Sequence, residues 1–327
     1  MNDHKRIFVT GASGCIGHYI CNQLIHHTTH DLYLLVRNPA KLKLEFDRPG
    51  VTVLEGNMRD IEHFADLLKT INVAILTATA WGDPQETTDI NITKTLRLMN
   101  LLDPVVCEQV LYFSTASILN HENQLLPEAW ELGTDYIRSK YECYTKLPQL
   151  AIAPKITVLL PTLVFGGDET MPYSHLSSGL AEVVKWMPLI RFFGTEGSLH
   201  FIHAQDIATI VTYLVDNPPE EPRLQQMVLG NPRLSVNETI EQFCNYLNLR
   251  IYFRLPLTLW FANIIIKLFR LQMAAWDYFS LNYRHFYYKD PVSPALLGLP
   301  AYCPTLADVL RATGIPPGND KGKHWRR

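Results

Sequence analysis

The chain has 327 residues, and its 29 lysines and arginines nearly balance its 32 aspartates and glutamates. A formal net charge of -3 gives no reason to expect nucleic acid or an anionic membrane as a partner, and a hydrophobic share of 47% is that of an ordinary globular protein. The length supports a full hydrophobic core, so the chain is expected to fold as one large domain, or as one domain with an appended lobe.

Six cysteines are scattered along the chain without a C-x-x-C pair. This pattern disfavours a zinc site and a disulfide framework, and it favours a reducing compartment. The first residues are polar and basic and pass directly into a predicted strand, without the apolar run and cleavage site of a secretory signal. We therefore expect a cytoplasmic protein that binds no metal.

Short β-branched runs alternate with longer segments of helical period between residue 5 and about residue 160. The predicted strands are 6–10, 32–36, 51–55, 73–77, 110–114 and 156–160. Runs such as VAILT at 73–77 are apolar at successive positions, as expected for strands that helices cover on both faces. The predicted fold class is therefore α/β, a doubly wound parallel sheet of the Rossmann type.

The regular alternation ends after Pro161, where glycine and proline recur at short intervals. A helix at 204–216 and a strand near 225–229 are predicted to return to the main sheet. The predicted domains are a dinucleotide-binding domain at 1–162 to which 204–231 returns, a smaller, mainly helical substrate lobe at 163–203 and 232–317, and a disordered tail at 318–327.

The C-terminal part is predicted to be predominantly helical over its last eighty or so residues. Ser235 and Glu238 form a capping box for a helix that ends near Leu247. The apolar segment 255–279 is interrupted by proline and charged residues, so it is not expected to cross a bilayer. A helix over 256–281 packed against the second lobe is the first interpretation, and lining an apolar substrate pocket or lying on a membrane surface are the alternatives.

Residues 7–17 read IFVTGASGCIG and place Gly11, Gly14 and Gly17 at intervals of three, immediately after the first predicted strand. A glycine-rich turn between a strand and a helix lets the backbone approach a pyrophosphate, whose charge is met by the N–H groups at the helix N-terminus. Glycines also make tight turns and allow close helix packing. The position after the first strand of a βαβ series nevertheless favours a dinucleotide site.

Tyr136 and Lys140, in the stretch TDYIRSKYE, are four residues apart and share one face of a predicted helix. A lysine in that place is expected to lower the pKa of the phenol and make it usable as a proton donor or acceptor. A surface helix pair is the alternative. The helix follows the fifth strand, which ends in LYFSTAS, so Thr115 is expected to face Tyr136 at the carboxyl edge of the sheet.

Further motifs follow in a fixed order along the first two thirds of the chain. They are TGASGCIG at 10–17, LTATA at 76–80, DINITKTLRLM at 89–99, FSTASILN at 113–120, YIRSK at 136–140, PTLVFG at 161–166 and FIHAQDIA at 201–208. Together they make the chain resemble an extended (atypical) short-chain dehydrogenase/reductase of the NAD-dependent epimerase/dehydratase family.

The resemblance implies hydride exchange between a nicotinamide cofactor and a carbonyl or carbinol carbon. It implies that Tyr136 exchanges the proton on the substrate oxygen, that Lys140 holds the ribose hydroxyls, and that Thr115 hydrogen-bonds the reacting oxygen. Asn91 would be a supporting catalytic residue, or else a helix-internal amide that bonds neighbouring backbone. The implied cofactor-binding residues are Gly11, Ser13, Gly14, Cys15, Ile16, Gly17, Arg37, Asn57, Met58, Thr77, Ala78, Thr79, Lys140, Pro161, Leu163 and Val164.

Two positions bear on the choice of cofactor. Asn57 stands where the family usually has an aspartate that contacts the adenine, and an amide can still make that contact. Arg37 follows strand two, where an NAD enzyme would place an acid for the ribose hydroxyls. An arginine there can meet a 2′-phosphate, with Lys41 and Lys43 as helpers, so NADP is predicted and NAD remains possible. The alternative is a solvated surface cation.

The substrate side of the site lacks the arginines that are common in members acting on nucleotide sugars. Leu199 stands where such an arginine would meet the diphosphate, and Leu160-Pro161 replaces an Arg-Pro pair. The second lobe is rich in aromatic residues, which suggest an apolar substrate or are simply packed in its core. These residues are Trp186, Trp260, Phe261, Trp276 and Phe279.

Three functions are compatible with these observations. The first is a reductase or dehydrogenase of a small or apolar carbonyl/alcohol pair, and the second is a nucleotide-sugar epimerase or dehydratase. The third is a non-catalytic sensor or assembly factor that binds the dinucleotide, which the presence of Thr115, Tyr136 and Lys140 disfavours. The expected partner is a small-molecule substrate, with a homodimer as an open alternative for the assembly.

Overall fold

A parallel sheet organises the first 230 residues of the protein. A computed structural model of the chain describes residues 4–45, 48–258 and 272–318. Its strands are β1 Arg6–Thr10, β2 Asp31–Val36, β3 Val51–Glu55, β4 Val73–Leu76, β5 Gln109–Phe113, β6 Ile156–Pro161, β7 Leu163–Phe165, β8 Phe193–Gly194, β9 Ser198–Leu199, β10 Phe201–His203, β11 Gln225–Leu229, β12 Leu234–Ser235 and β13 Leu255–Pro256.

Seven of these strands form the main sheet in the order β11-β6-β5-β4-β1-β2-β3. Every neighbouring pair is parallel. After β3 the chain returns to pair β4 with β1, so the direction of winding reverses between β4 and β1 and opens a crevice at their carboxyl ends. The predicted doubly wound Rossmann sheet is confirmed, and each predicted strand agrees with the observed one to within one residue at either end.

The helices alternate with these strands. They are α1 Cys15–His27, α2 Ala65–Leu68, α3 Pro84–Thr88, α4 Thr95–Leu101, α5 Pro127–Glu131, α6 Asp135–Lys146, α7 His175–Ile190, α8 Ala204–Asp216, α9 Val236–Tyr246, α10 Ala275–Tyr283 and α11 Leu306–Ala312. Short 3-10 turns occupy Pro39–Lys41, Met58–Phe64, Ala116–Ile118, Leu147–Gln149, Ala153–Lys155 and Pro294–Leu297, and a π-helical segment, Asp89–Lys94, joins α3 to α4.

The sheet is covered on both faces, as its uninterrupted apolar strands require. Along β1, Ile7 and Val9 point into a core shared with α1 and α8, whereas Phe8 points into a second core on the other face with α4 and α6. All three side chains are fully buried. Strand β11 joins the sheet beside β6, and α8 packs along α1.

The part of the chain outside the main sheet has a separate apolar cluster between α7, α9 and α11. The predicted capping box is present: Glu238 N donates to Ser235 Oγ over 3.1 Å, and Ser235 N donates to Glu238 Oε2 over 2.7 Å. Helices are the main regular elements here, but the expectation of a predominantly helical end is wrong for the described residues 248–258 and 272–318. Four prolines at 291, 294, 300 and 304 interrupt it, because proline removes a helix hydrogen bond.

The predicted helix over 256–281 is only partly observed. Pro256 lies in β13, which pairs with β8, and α10 covers the end of the predicted range. Residues 259–271, with Trp260 and Phe261, and the predicted tail from residue 319 onward lie outside the described residues. Within the part of the chain that the structure describes, no helix is long and apolar enough to cross a membrane.

Candidate active site

The glycine turn after β1 combines a steric requirement with an open backbone. Gly11 has φ +72°, and a Cβ there would meet Thr77 Oγ1 at 2.6 Å; a Cβ on Gly17 would strike the carbonyl oxygen of Gly11. Those two glycines are needed for the turn itself. A Cβ on Gly14 would meet only the same oxygen, at 3.3 Å, and Gly14 is exposed at the N-terminus of α1. The backbone at Gly14 is therefore open to an anionic ligand.

A cleft of about 730 Å³ runs along the carboxyl edge of the sheet from this turn to the loop after β4. Nine of the predicted cofactor-binding residues line it: Gly11, Ser13, Gly14, Arg37, Asn57, Met58, Thr77, Ala78 and Thr79. The other predicted positions lie outside its lining: Cys15, Ile16, Gly17, Lys140, Pro161, Leu163 and Val164. The cleft therefore joins the ends of β1, β2, β3 and β4, and the β6–β7 corner does not contribute to it.

The end of β2 supplies the cationic side of this cleft. Arg37 and Lys41 both line it, whereas Lys43, predicted as a second helper, lies outside its lining. Lys41 ends the short 3-10 turn Pro39–Lys41, which Asn38 begins by accepting a hydrogen bond from Ala40 N. The acidic residue in the lining, Glu86, is paired with Arg59 over 3.3 Å.

Asn57 holds the end of β3 in shape. Its Oδ1 accepts a hydrogen bond from Arg59 N over 3.1 Å and caps the turn Met58–Phe64. Because an aspartate would make the same cap, the amide preserves the local conformation at a position that lines the cleft.

Thr115 and Tyr136 meet at the carboxyl edge, next to this cleft. Thr115 lies two residues after the end of β5. Its Oγ1 accepts a hydrogen bond from Ser117 N over 3.3 Å. Its hydroxyl also lies close enough to the Tyr136 phenol to lower the pKa of Tyr136. Burial acts in the opposite direction and is the larger effect, so the pKa of Tyr136 lies well above its ordinary value.

Lys140 lies behind Tyr136 and is 3% exposed. Its Nζ donates a hydrogen bond to the carbonyl oxygen of Phe113 over 2.8 Å and lies 6.0 Å from the centre of the Tyr136 ring. Burial lowers the pKa of Lys140 to about 8. The expectation that Lys140 lowers the pKa of Tyr136 is therefore wrong for this structure, because the ammonium is turned toward the β5 main chain and burial dominates the phenol.

Asn91 connects the loop after β4 to the helix that carries Tyr136. It is fully buried in the π-helical segment. Its Oδ1 accepts from Thr79 Oγ1 and Ala80 N over 3.0 and 2.8 Å, and its Nδ2 donates to Ala80 O and Ser139 Oγ over 3.1 and 2.9 Å. All four hydrogen-bonding positions of the amide are used. Asn91 therefore holds other elements together, and its partners are neither substrate-facing groups nor the adjacent helical backbone that the alternative expected.

Comparison with known families decides the classification. Residues 7–230 match the model of the NAD dependent epimerase/dehydratase family. The chain belongs to this family. Membership makes it an enzyme of the NAD-dependent oxidoreductase type that uses a nicotinamide cofactor, in agreement with the resemblance seen in the sequence. A search of curated proteins returned no match for this chain.

Solved structures of other NAD-bound enzymes share the fold. The Bordetella bronchiseptica enzyme WbmG in complex with NAD and UDP is 14% identical, with a TM-score of 0.64 over 96% of this chain and 97% of that one. UDP-glucose-4-epimerase from Stenotrophomonas maltophila, with bound NAD and formylated UDP-arabinopyranose, is 18% identical, with a TM-score of 0.62 over 95% and 97% of the two chains. At these identities the likeness establishes the fold alone.

The substrate side of this family member differs from the expectation of an aromatic pocket. Trp186 lies exposed on α7 and donates its indole N–H to Glu182 over 2.8 Å, whereas Trp276 and Phe279 on α10 pack against the core that contains Phe8. Leu160 is fully buried in β6 and Leu199 is half-buried in β9. The aromatic residues named from the sequence thus do not form one pocket in the described chain.

Trp81 is the residue that sequence analysis missed. It follows LTATA directly and lines the cleft. Its indole stacks on the Tyr136 ring, with the ring centres 3.7 Å apart and 12° between the planes. The signal available in the sequence was its position one residue beyond the strand-four motif, where side chains reach the carboxyl edge of the sheet.

Proposed function

We propose that this protein is an NADP(H)-dependent oxidoreductase acting at a carbonyl or alcohol carbon of a small, apolar substrate. The observation that carries the proposal is the closeness of the Thr115 hydroxyl to the Tyr136 phenol, whose ring stacks on Trp81 in the lining of the 730 Å³ cleft. A phenol and a second hydroxyl in contact can share one substrate oxygen between them. Residues 163–203 and 232–317 would form the substrate lobe, and the six cysteines, all unpaired, favour a cytoplasmic location.

The cleft fits a dinucleotide. The open backbone at Gly14 and the N-terminus of α1 would hold the pyrophosphate, and Asn57 and Met58 would lie beside the adenine. When bound, the cofactor supplies a hydride acceptor or donor for the reacting carbon. Arg37 and Lys41 would meet a 2′-phosphate, and the neutralised Glu86 does not oppose it, so NADP is favoured over NAD.

Tyr136, Thr115 and Lys140 would have different roles in the proton transfer. The raised pKa of Tyr136 keeps its phenol protonated at neutral pH, so it can donate a proton to the oxygen of a carbonyl that is being reduced. Thr115 would hydrogen-bond that oxygen and fix its distance from Tyr136. Lys140, held by the Phe113 carbonyl, would bind ribose hydroxyls and keep positive charge near the phenol below its pKa of about 8.

A nucleotide-sugar epimerase or dehydratase is the second candidate, favoured by one observation in the substrate lobe. A cavity of about 650 Å³ is lined by Arg254 and Arg284, which could meet a diphosphate in place of the missing arginine at Leu199. Both guanidinium groups already have acidic partners, Glu241 and Glu196, at 2.9 and 3.5 Å. This pairing lowers their availability and places the epimerase second.

The test separates these functions in one preparation. Mass spectrometry of the small molecules that copurify with the protein should find NADP(H), and an apolar alcohol or carbonyl compound with it. Purified enzyme with NADPH should then reduce simple aldehydes, and it should leave UDP-sugars unchanged. Copurified UDP, or epimerisation of a UDP-sugar without net consumption of NADPH, would establish the second candidate, while bound nucleotide without any turnover would favour the non-catalytic sensor.

A further inference from the structure

Trp81 presents an exposed indole beside the proposed proton donor. The side chain is 62% exposed, although exposing so large an apolar surface is unfavourable. One face of the indole is covered by the ring of Tyr136, with centres 3.7 Å apart. The exposed area therefore lies on the remaining face and edge, at the mouth of the site.

The loop that carries Trp81 is held in place before any ligand arrives. Asn91 bonds both the N–H and the carbonyl oxygen of Ala80, the residue before Trp81, over 2.8 and 3.1 Å. The same amide bonds Ser139, which ties the loop to the helix that carries Tyr136. Since the stack is fixed in this way, a ligand that packs on the indole loses little free energy in ordering it.

His175 contributes a second ring near the indole. It is exposed at the start of α7, inclined by 20° to the indole, with the ring centres 6.4 Å apart. Gly166 fixes this helix start, because its carbonyl oxygen accepts from Ser174 N over 2.8 Å and its N–H donates to Ser177 Oγ over 2.9 Å. A flat group does not fit between rings whose centres are 6.4 Å apart, because two contacts of about 3.5 to 4.0 Å need about 7 to 8 Å. His175 can instead meet the edge of a flat group that lies on the free face of the indole.

The cationic residues of the cleft lie elsewhere, and its acidic residue, Glu86, is paired with Arg59. Arg37 and Lys41 follow β2, which is two strands away from β4 and Trp81, or about 10 Å at the usual spacing between strands. Recognition next to Tyr136 is therefore aromatic rather than ionic.

We propose that Trp81 and His175 select substrates with a planar, conjugated group next to the reacting carbon, such as aryl or α,β-unsaturated aldehydes, ketones and alcohols. The proposal rests on the function proposed above and names its substrate class. Trp81 is the specificity-determining residue, and His175 meets the edge of the planar group. Each ring–ring contact of this kind changes affinity by about 2- to 12-fold beyond simple burial of area.

The experiment compares benzaldehyde with cyclohexanecarbaldehyde, which carry the same number of carbons in a flat and a puckered ring. With NADPH, the ratio of their kcat/KM values should favour benzaldehyde by about 10-fold or more in the unaltered enzyme. Trp81→Leu should bring the ratio close to one, and His175→Leu should lower it by about 3-fold. The ratio is decisive because Trp81→Leu also uncovers Tyr136 and changes both rates together.

Trp186→Leu is the matched control, because Trp186 is another half-exposed indole, on the same helix as His175. It should leave the ratio unchanged. A second measurement needs no turnover: benzyl alcohol should quench tryptophan fluorescence in the unaltered protein and much less in Trp81→Leu.

The outcomes separate this inference from the proposed function. Equal kcat/KM values for the two aldehydes, or the same ratio in Trp81→Leu, overturn the planar preference and leave the oxidoreductase standing. Turnover of a UDP-sugar with no reduction of either aldehyde overturns both proposals. No turnover at all, together with equal quenching in Trp81→Leu, also overturns the inference.

Discussion

The two parts of the molecule, before and after residue 230, differ in how their polar and apolar groups are used. In the first part, two buried polar side chains beside the site have defined partners: Asn91 makes four hydrogen bonds and Lys140 bonds the Phe113 carbonyl. In the second part, Tyr252, Phe253 and Leu255 are each more than half exposed. The difference indicates that the sheet part holds in place side chains to which the proposal assigns cofactor binding and proton transfer, while the later part carries apolar surface that the described residues leave uncovered.

The largest expected effect, on nucleotide binding, comes from adding a side chain at Gly14 in the first part. Gly14→Val should abolish binding of either nucleotide and leave the fold intact, because the added atoms stand where a pyrophosphate must approach and a Cβ meets only Gly11 O. Calorimetric titration and thermal unfolding would measure the two properties.

The matched control lies in α7, outside the main sheet. A Cβ on Gly179 in α7 has no atom within 4 Å, so Gly179→Ala should leave nucleotide binding unchanged and raise stability by up to about 1 kcal/mol. A Gly14→Val protein that still binds the cofactor tightly would contradict the placement of the pyrophosphate.

The next effect concerns the buried lysine. Lys140→Met should weaken NADP binding by about 10- to 100-fold, the loss expected for a charge-assisted hydrogen bond. The pH dependence of stability gives an independent readout. Lys140 has a pKa of about 8 in the native protein and an ordinary value of 10.5, so the unfolded state binds more protons in this window and the wild type gains stability as pH rises from 8 to 10.5.

Methionine does not titrate. In urea unfolding, the free energy of unfolding of the wild type should therefore rise relative to that of Lys140→Met only between pH 8 and 10.5. Parallel stability profiles for the two proteins from pH 7 to 10.5 would mean that Lys140 is not held in a desolvated site.

A loss of similar size, but for NADP alone, is expected at the rim of the cleft. Arg37→Asp should weaken NADP binding by about 1.5 to 3 kcal/mol, the value of a hydrogen bond to a charged group, and change NAD binding little. Lys43→Asp reverses the same charge at a position outside the lining and should leave both affinities unchanged. Equal losses for NADP and NAD in Arg37→Asp would make Arg37 a surface residue without a role in cofactor choice.

Features of this molecule that depend on residues close in sequence could be predicted from the sequence, and contacts between distant residues could not. The strands and the Ser235 capping box depend on residues close in sequence, and they were found nearly to the residue. The stack of Trp81 on Tyr136 joins residues 55 positions apart, and no local pattern encodes it. The pKa of Tyr136 was predicted in the wrong direction because helical spacing shows that Lys140 is near, but does not show how deeply the phenol is buried.

The smallest effect tests the second part alone. Ser235→Ala removes the side-chain half of the capping box of α9 and should lower the free energy of unfolding by about 1 kcal/mol. Nucleotide affinity should not change, because α9 lies in the cluster with α7 and α11, away from the cleft. Thermal unfolding with and without NADP would measure both, and a loss of nucleotide affinity would show that the two parts are coupled.

The most direct test of the central claim, that Tyr136 handles a proton in a working enzyme, is the turnover of Tyr136→Phe. Phenylalanine keeps the ring on which Trp81 stacks and removes the hydroxyl that Thr115 contacts. The account predicts that NADPH-dependent aldehyde reduction falls by about 10² to 10⁴, the usual contribution of a positioned acid or base, while NADP affinity and Tm stay unchanged. Turnover equal to that of the unaltered protein would contradict the account and leave only the binding of the dinucleotide.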